Sequence, residues 1–305
     1  MHLLPLLEKI GCKVVIKLQY KRKGYWRVGG PLELWAEVQG VSNIMDIVKL
    51  GCPLSILGNG SNMLMADEGA KGLSLSLGGD FLDYSLEPDL LLVVGAGIRN
   101  TVLLNRIKKL GYGGLASLAG VPGTIGGAVR MNAGTTLGEI GSVVKFVEWV
   151  DRFTGTLHKT TQEDCQFGYR KASGLPWSAI ITRVGLQLHQ EDLITENELV
   201  RNHLKRRKET QPLNLPSCGS VFTNPDGDYA GRLIELVGLK GIKKGGAQIS
   251  DKHANFIVNN GNATAMDVYT LIKLAKTRVF EETGICLNPE VKPMGDWPEG
   301  LWPLA

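Results

Sequence analysis

From Gly113 to Gly134 the chain reads Gly-Gly-Leu-Ala-Ser-Leu-Ala-Gly-Val-Pro-Gly-Thr-Ile-Gly-Gly-Ala-Val-Arg-Met-Asn-Ala-Gly, dense in glycine without being a repeat. A glycine held in a regular element costs roughly 0.5 to 1 kcal/mol in backbone entropy relative to alanine, so a run this rich must need positive φ angles or the close approach of something bulky. A buried ligand meets that need. The central Val-Pro-Gly-Thr-Ile-Gly-Gly, ending at Gly127, lacks the lysine of a P-loop and the spacing of a dinucleotide fingerprint, which excludes both familiar phosphate cradles.

The rest of the composition bounds the problem. With 305 residues, 43% hydrophobic and 21% charged, the chain is long enough for two or three units with cores of their own. A net charge of +4 is too small to mark a nucleic-acid surface, though it suits an anionic small substrate. The five cysteines, Cys12, Cys52, Cys165, Cys218 and Cys286, are scattered and show no Cys-x-x-Cys spacing, so neither a disulfide framework nor a zinc site is expected. A reducing cytoplasm fits them. Glu8, Lys9, Lys13 and Lys17 interrupt the apolar opening Met-His-Leu-Leu-Pro-Leu-Leu, so neither an export signal nor a membrane anchor is expected.

No fixed-period repeat appears, and three successive units are expected: 1–75, 76–198 and 199–305. In the first, Leu32 to Val38 and Leu54 to Leu57 read as strands around a helix near Val41 to Leu50. In the second, apolar runs at Leu90 to Val94, Val143 to Val150 and Ala179 to Leu188 read as strands, with a helix near Thr101 to Leu110. The third opens on a basic helix, Glu196 to Lys208, whose Lys205-Arg-Arg-Lys208 cluster reads as a solvated face. Near its end Thr264 and Asp267 form a capping box before the stripe Val268, Leu271, Ile272, Ala275 and Val279, and Gly284 closes the helix.

A second glycine-rich segment, Gly58-Asn59-Gly60-Ser61-Asn62, follows directly on a strand. Successive amides in such a turn converge on an anion, with Ser61 and Asn62 adding side-chain donors. Two such loops in adjacent units can grip a pyrophosphate from both sides, the geometry an extended dinucleotide such as FAD requires. Gly95-Ala-Gly97, between strand and helix, invites a Rossmann assignment, but residue 100 is Asn and no acidic residue follows at the end of a second strand. It is expected to be a plain turn.

Five motifs in one order carry a resemblance to the UDP-N-acetylenolpyruvoylglucosamine reductases. They are Leu57-Gly-Asn-Gly-Ser-Asn62, Gly120-Val-Pro-Gly-Thr-Ile-Gly-Gly-Ala128 with Met131-Asn-Ala-Gly134, Phe167-Gly-Tyr-Arg170, Pro216-Ser-Cys-Gly-Ser-Val-Phe222 and Asn288-Pro-Glu290. The resemblance covers all but about the first 20 residues, and the fixed order makes it far more specific than any single motif. It implies an α+β fold with a two-part FAD-binding region of the vanillyl-alcohol-oxidase (PCMH) type and a C-terminal α/β substrate-binding domain. It also implies non-covalent FAD, NADPH as co-substrate, and reduction of the enolpyruvyl ether of UDP-N-acetylglucosamine to UDP-N-acetylmuramate, a peptidoglycan precursor. A cytoplasmic monomer with no metal, nucleic-acid or membrane partner is expected.

Carried over position by position, the resemblance assigns FAD binding to Gly58, Asn59, Gly60, Ser61, Asn62, Gly120, Pro122, Gly123, Thr124, Ile125, Gly126 and Gly127. Arg170 is assigned to the negative charge that hydride addition pushes into the substrate carboxylate, Ser220 to proton donation, and Glu290 to the carboxyl side of the substrate or the proton relay. Tyr169 and Asn224 fall at substrate-binding positions, while Lys252 and His253, in a family-like segment, are left outside the catalytic set.

The chain departs from the family at three places. Thr-Thr-Leu follows Gly134 where an aromatic or small residue is usual, Ala172 and Ser173 stand where a serine usually comes two residues after the arginine, and Thr223 replaces a frequent lysine. The Cys-Gly-Ser-Val-Phe motif and the short third unit imply the subtype without an extra tyrosine loop. Two rivals remain at this level. An FAD oxidase of the same superfold would often tether flavin through a histidine, and neither glycine loop has one; a flavin-binding module without catalysis would have no use for Arg170, Ser220 and Glu290 together.

Overall fold

In the strand Pro31–Val38, Leu32, Leu34, Ala36 and Val38 are buried at every second position, and Trp35 is buried on the opposite face, its indole N–H donating to Ser76 Oγ at 2.9 Å. It belongs to a four-stranded sheet of order Lys13–Gln19, Pro31–Val38, Ala70–Leu77, Leu54–Ile56. The last two strands pair in parallel, with Leu54 opposite Leu73 and Ile56 opposite Leu75. The helix Val41–Lys49 follows the Pro31–Val38 strand, and its Ile44 and Ile47 join Leu34, Val38, Leu73 and Leu75 in one apolar cluster. Asn43 starts that helix, its Oδ1 accepting the Gly40 amide at 2.8 Å and the Gln39 amide at 3.2 Å. The computed structural model describes residues 3–301; Met1 and His2 of the apolar opening lie outside them.

The described residues form two units that interleave along the chain. One takes Met1–Ile16, Leu34–Asn59 and Gly72–Lys205; the other takes Lys17–Glu33, Gly60–Lys71 and Arg206–Ala305. The stretch 1–75 is thus distributed over both units.

The first unit also holds a fully antiparallel five-stranded sheet of order Leu157–Thr161, Val144–Asp151, Ala179–Gln187, Leu91–Gly95, Tyr84–Glu87. In Ala179–Gln187 every residue except Arg183 and Gln187 is buried, because both faces of the sheet are covered. Ile180 and Val150 pack into the cluster under Val41–Lys49, whereas Ile181, Val184 and Leu186 pack with Leu103 and Ile107 of the helix Asn100–Lys109. Gly95 and Gly97 are packing glycines: a Cβ on Gly95 would stand 2.3 Å from the Phe81 carbonyl oxygen, and one on Gly97 would stand 2.6 Å from that of Leu77. Their strand is antiparallel to both neighbours, which removes the parallel βαβ context a Rossmann site needs. The basic helix, Leu193–Thr210, has no buried residue, as expected of a solvated face.

In the second unit the strands Lys243–Lys244, Ala247–Ile249 and Ile257–Asn259 form an antiparallel sheet, and Met63–Met65 pairs in parallel with Lys292–Met294. The helix Ala265–Thr283 opens on the expected box, Thr264 and Asp267 capping each other at 3.0 Å, and closes on Gly284 at φ 71°. Its buried Val268, Leu271, Ile272, Ala275 and Val279 share a core with Trp26, Leu64, Val221 and Phe222. Trp26 is tied in at both ends: its indole N–H donates to the Ile257 carbonyl at 2.6 Å, and the Asn259 side-chain amide donates to the Trp26 carbonyl at 2.8 Å. Helices and mostly antiparallel sheets in separate blocks make this the α+β class expected from the sequence.

Candidate active site

The glycine-rich run is built as its composition demands. Gly114, Gly120 and Gly123 have positive φ angles, at 106°, 72° and 117°. Gly126 lies against Ala96, where a Cβ would come within 3.0 Å of that side chain. The turn at Gly95-Ala-Gly97 proves to be the brace for this loop: the Ala96 carbonyl accepts the Gly126 amide, the Ile98 carbonyl accepts that of Ile125, and the Asn100 amide donates to Gly123, at 2.9, 2.9 and 3.0 Å. The buried Asn100 side chain donates to the Val121 and Pro122 carbonyls at 3.3 and 3.5 Å. Ile125 and Gly126 therefore spend their amides on the protein and shape the loop. Thr124 caps the short helix Ile125–Arg130, its Oγ1 accepting the Gly127 amide at 3.4 Å.

The two glycine loops meet within the first unit. A Cβ on exposed Gly58 would stand 3.1 Å from Thr124 Oγ1, and one on exposed Gly127 would meet only that same oxygen, at 3.6 Å. Gly58, Thr124 and Gly127 thus outline a backbone-lined cradle that side chains would otherwise fill. Asn59 is the last residue of that unit on this loop; Gly60, Ser61 and Asn62 begin the next segment of the other unit. Gly60, at φ 65°, admits the buried Tyr20 ring, whose hydroxyl would lie 2.8 Å from a Cβ there. Asn62, expected as an anion donor, gives one side-chain N–H to the Glu290 carbonyl at 3.1 Å, and its own carbonyl accepts the Lys292 amide at 3.0 Å.

Arg170 sits in the first unit, in the left-handed region at φ 56° and with its side chain one-fifth exposed. Its Nη1 meets Glu139 Oε1 and its Nη2 donates to the Gly134 carbonyl, both at 3.3 Å. The guanidinium carbon lies 4.9 Å from the centre of the half-exposed Tyr169 ring, a cation–π arrangement. Glu139 is itself held, its Oε2 accepting from the buried Asn132 side chain at 2.7 Å. Sequence reasoning placed Asn132 inside a motif and passed over Glu139. An acidic residue in a short hairpin has no periodicity to mark it.

Glu290 pairs in the second unit with the segment that follows Ser220 in a short antiparallel ladder. The Glu290 amide donates to the Val221 carbonyl at 2.8 Å, the Thr223 amide donates to that of Asn288 at 3.0 Å, and Phe222 bridges Pro289. Buried Asn255 clamps the Ser220 side of this ladder from behind: its side chain exchanges hydrogen bonds with the Phe222 amide and carbonyl at 2.9 and 2.8 Å, and its carbonyl accepts the Val221 amide at 2.9 Å. Asn255 was legible only as part of a family-like segment. Asn224 is exposed and accepts the Ala230 amide at 3.1 Å, so part of its side chain serves the entry to the helix Ala230–Leu236. His253 accepts the Asn255 amide on Nδ1 at 3.2 Å, and burial pushes its pKa down. Lys252 donates to the Lys208 carbonyl at 2.6 Å, at the end of the basic helix. Both make hydrogen bonds within the protein in this structure.

The cradle tests whether FAD fits: glycines that no neighbouring protein atom requires, Gly127 above all, border an open backbone surface, which is what an extended diphosphate needs. Among the described residues no cluster of His, Cys, Asp and Glu could hold a metal ion, and no helix is long and apolar enough to cross a membrane.

Comparison with known proteins agrees with this geometry. The family described as FAD binding domain matches residues 35–161, and the family described as UDP-N-acetylenolpyruvoylglucosamine reductase, C-terminal domain, matches residues 211–294. The UDP-N-acetylenolpyruvoylglucosamine reductase of Anaeromyxobacter dehalogenans is 45% identical over 276 residues, spanning 89% of this chain and 83% of the relative. The protein of the same name from Myxococcus xanthus is 43% identical over 279 residues, 89% of each chain. Among solved structures, the UDP-N-acetylenolpyruvylglucosamine reductase of Thermus caldophilus matches 94% of this chain and 99% of its own, with 37% identity and a TM-score of 0.80. The chain belongs to the UDP-N-acetylenolpyruvoylglucosamine reductase family of FAD-dependent oxidoreductases.

Proposed function

We propose that the protein uses NADPH and tightly held FAD to reduce the enolpyruvyl ether of UDP-N-acetylglucosamine to UDP-N-acetylmuramate. Identity of 43–45% across 89% of the chain carries this reading, supported by the reductase C-terminal family match over residues 211–294, a stretch that includes Ser220 and Glu290. FAD belongs with 1–75 and 76–198, and the UDP-sugar with 199–305 together with Tyr169. The same reading makes the protein a cytoplasmic monomer, in keeping with cysteines that all carry free thiols.

Gly58, Asn59, Gly60 and Ser61 on one loop and Gly120, Pro122, Gly123, Thr124 and Gly127 on the other would hold the cofactor, with Asn62, Ile125 and Gly126 keeping the loops in shape. When bound, FAD supplies two-electron transfer from NADPH to carbon. Reduction at the methylene carbon of the substrate drives negative charge into its carboxylate. Arg170 meets that charge, since a guanidinium is permanently ionised and binds a carboxylate through parallel N–H donors. Ser220 Oγ hands a proton to the carbon bearing the ether oxygen; a serine is a feeble acid, but the receiving carbon is strongly basic and needs only a donor held against it. Glu290, pinned through both its amide and its carbonyl, hydrogen-bonds the substrate carboxylate or returns the proton to Ser220. Tyr169 and Asn224 contact the substrate.

An anaerobic flavin-absorbance experiment tests the reading. NADPH should bleach the bound flavin, and only the enolpyruvyl ether should restore its colour. Flavin that bleaches but ignores that ether would overturn the substrate, and a protein that takes up no flavin would overturn the cofactor.

A further inference from the structure

The polar network behind Arg170 goes beyond the catalytic residues named so far. Gly134–Thr135 and Gly138–Glu139 form a two-stranded hairpin, with Gly134 opposite Glu139. The strands press so closely that a Cβ on Gly134 would stand 2.2 Å from the Gly138 carbonyl oxygen. This hairpin offers Arg170 two acceptors side by side, the Glu139 carboxylate and the Gly134 carbonyl.

The donor and acceptor count then fixes how the groups of the socket are oriented. Asn132 Oδ1 accepts the Gly141 amide at 2.9 Å, and Nδ2 donates to the Gly168 carbonyl at 3.0 Å and to Glu139 Oε2 at 2.7 Å. Rotating that amide end for end would set N–H against N–H at Gly141 and oxygen against oxygen at Gly168, so its orientation is determined. Glu139 must therefore accept on Oε2 from Asn132 and on Oε1 from Arg170. A carboxylate accepts on both sides; a glutamine of the same shape would turn an NH2 group onto one of two donors. We propose that Glu139 is a positioning residue for Arg170, a carboxylate oriented by Asn132 that holds the guanidinium in its working direction. The inference rests on the reductase reading of Arg170. A long arginine side chain on a left-handed backbone has many rotamers, and charge stabilisation in the transition state demands one of them.

Glu139→Gln tests this, because it keeps size while replacing one acceptor oxygen and the negative charge by an NH2 donor. Stopped-flow absorbance separates the two half-reactions. Bleaching by NADPH reports folding and flavin occupancy, and recovery of colour with UDP-N-acetylglucosamine enolpyruvate reports the step that needs Arg170. The expected result is recovery slowed by about tenfold or more with bleaching intact, since misplacing one stabilising group costs on the order of ten- to a hundredfold. In an Arg170→Met background, where the positioned group is gone, Glu139→Gln should slow recovery no further. Recovery within about twofold of the parent protein, or an equal loss in the presence and absence of Arg170, would overturn the proposal. A parent protein whose flavin never recovers with that ether would remove the reductase reading itself, and the positioning role with it.

Discussion

Gly127→Ala separates what the protein needs from what the cofactor needs. Gly127 lies in the helix Ile125–Arg130 at an ordinary negative φ, and an added methyl would touch only Thr124 Oγ1, at 3.6 Å. For the protein alone the change is favourable, because alanine in a helix is worth about 0.5 to 1 kcal/mol over glycine. For a bound diphosphate it is unfavourable, since a methyl then projects into the cradle; overpacking of about 1.4 kcal/mol, near the low end for an inserted methyl, weakens FAD about tenfold. Free ligand at one hundred times the parent dissociation constant stabilises the parent by about 2.7 kcal/mol, and the variant, with a tenfold larger constant, by only about 1.4 kcal/mol. Urea unfolding of flavin-free and flavin-saturated protein, with and without the substitution, measures all four states. The flavin-free variant should be the more stable of its pair, and its gain from FAD should be about half the parent's. An unchanged gain from FAD would refute the cradle, and a less stable flavin-free variant would show that the glycine serves packing.

Ser220→Ala should leave FAD binding and bleaching by NADPH intact while slowing recovery with the enolpyruvyl ether by about 100- to 10,000-fold, the span for a lost proton donor; normal recovery would end that role. Trp26→Phe removes the donor to the Ile257 carbonyl and leaves a void in the second unit's core, so urea unfolding should show a loss of about 2 to 4 kcal/mol, and a loss under about 1 kcal/mol would contradict the packing described. Burial pushes the Cys218 thiol up to about 12, so the folded protein keeps a proton that the unfolded chain loses at ordinary thiol values. Stability from this group is complete below a pH of about 8.5 and falls as pH rises toward the folded value; Cys218→Ala should flatten that alkaline decline, and parallel pH curves would refute it. Alkylation at neutral pH followed by mass spectrometry should modify exposed Cys286 first and leave buried Cys165 and Cys218 untouched until the protein unfolds.

Local features were legible in the sequence where local physics decides them. The capping box at Thr264, the left-handed Gly284 and the alternation through Pro31–Val38 each follow from a few neighbouring residues. The glycine run announced both its positive φ angles and its close approaches. The pairing of Met63–Met65 with Lys292–Met294 left no such mark, because three-residue strands from opposite ends of the chain have neither length nor period to betray a partner. The assignment of Arg170, Ser220 and Glu290 rests on motif order in the sequence. Glu139 and Asn255 were not, since their importance lies in what the fold sets against them: a guanidinium for one, a stretch of backbone for the other.

The two anchors of Trp26 have a consequence for how the chain is made. Its hydrogen-bond partner Ile257 lies 231 residues downstream, and Asn62 reaches Glu290 across 228. A ribosome delivering the chain from its amino end releases Lys17–Glu33 and Gly60–Lys71, which can meet each other, long before residues 206–305 that complete their core, so that core cannot close early in synthesis. The second unit becomes whole only when the last strand, Lys292–Met294, has emerged. Until the segment from Cys218 to Val291 has emerged, Trp26 and Leu64 lack the core they share with it, and a nascent chain at that stage offers their apolar faces to chaperones.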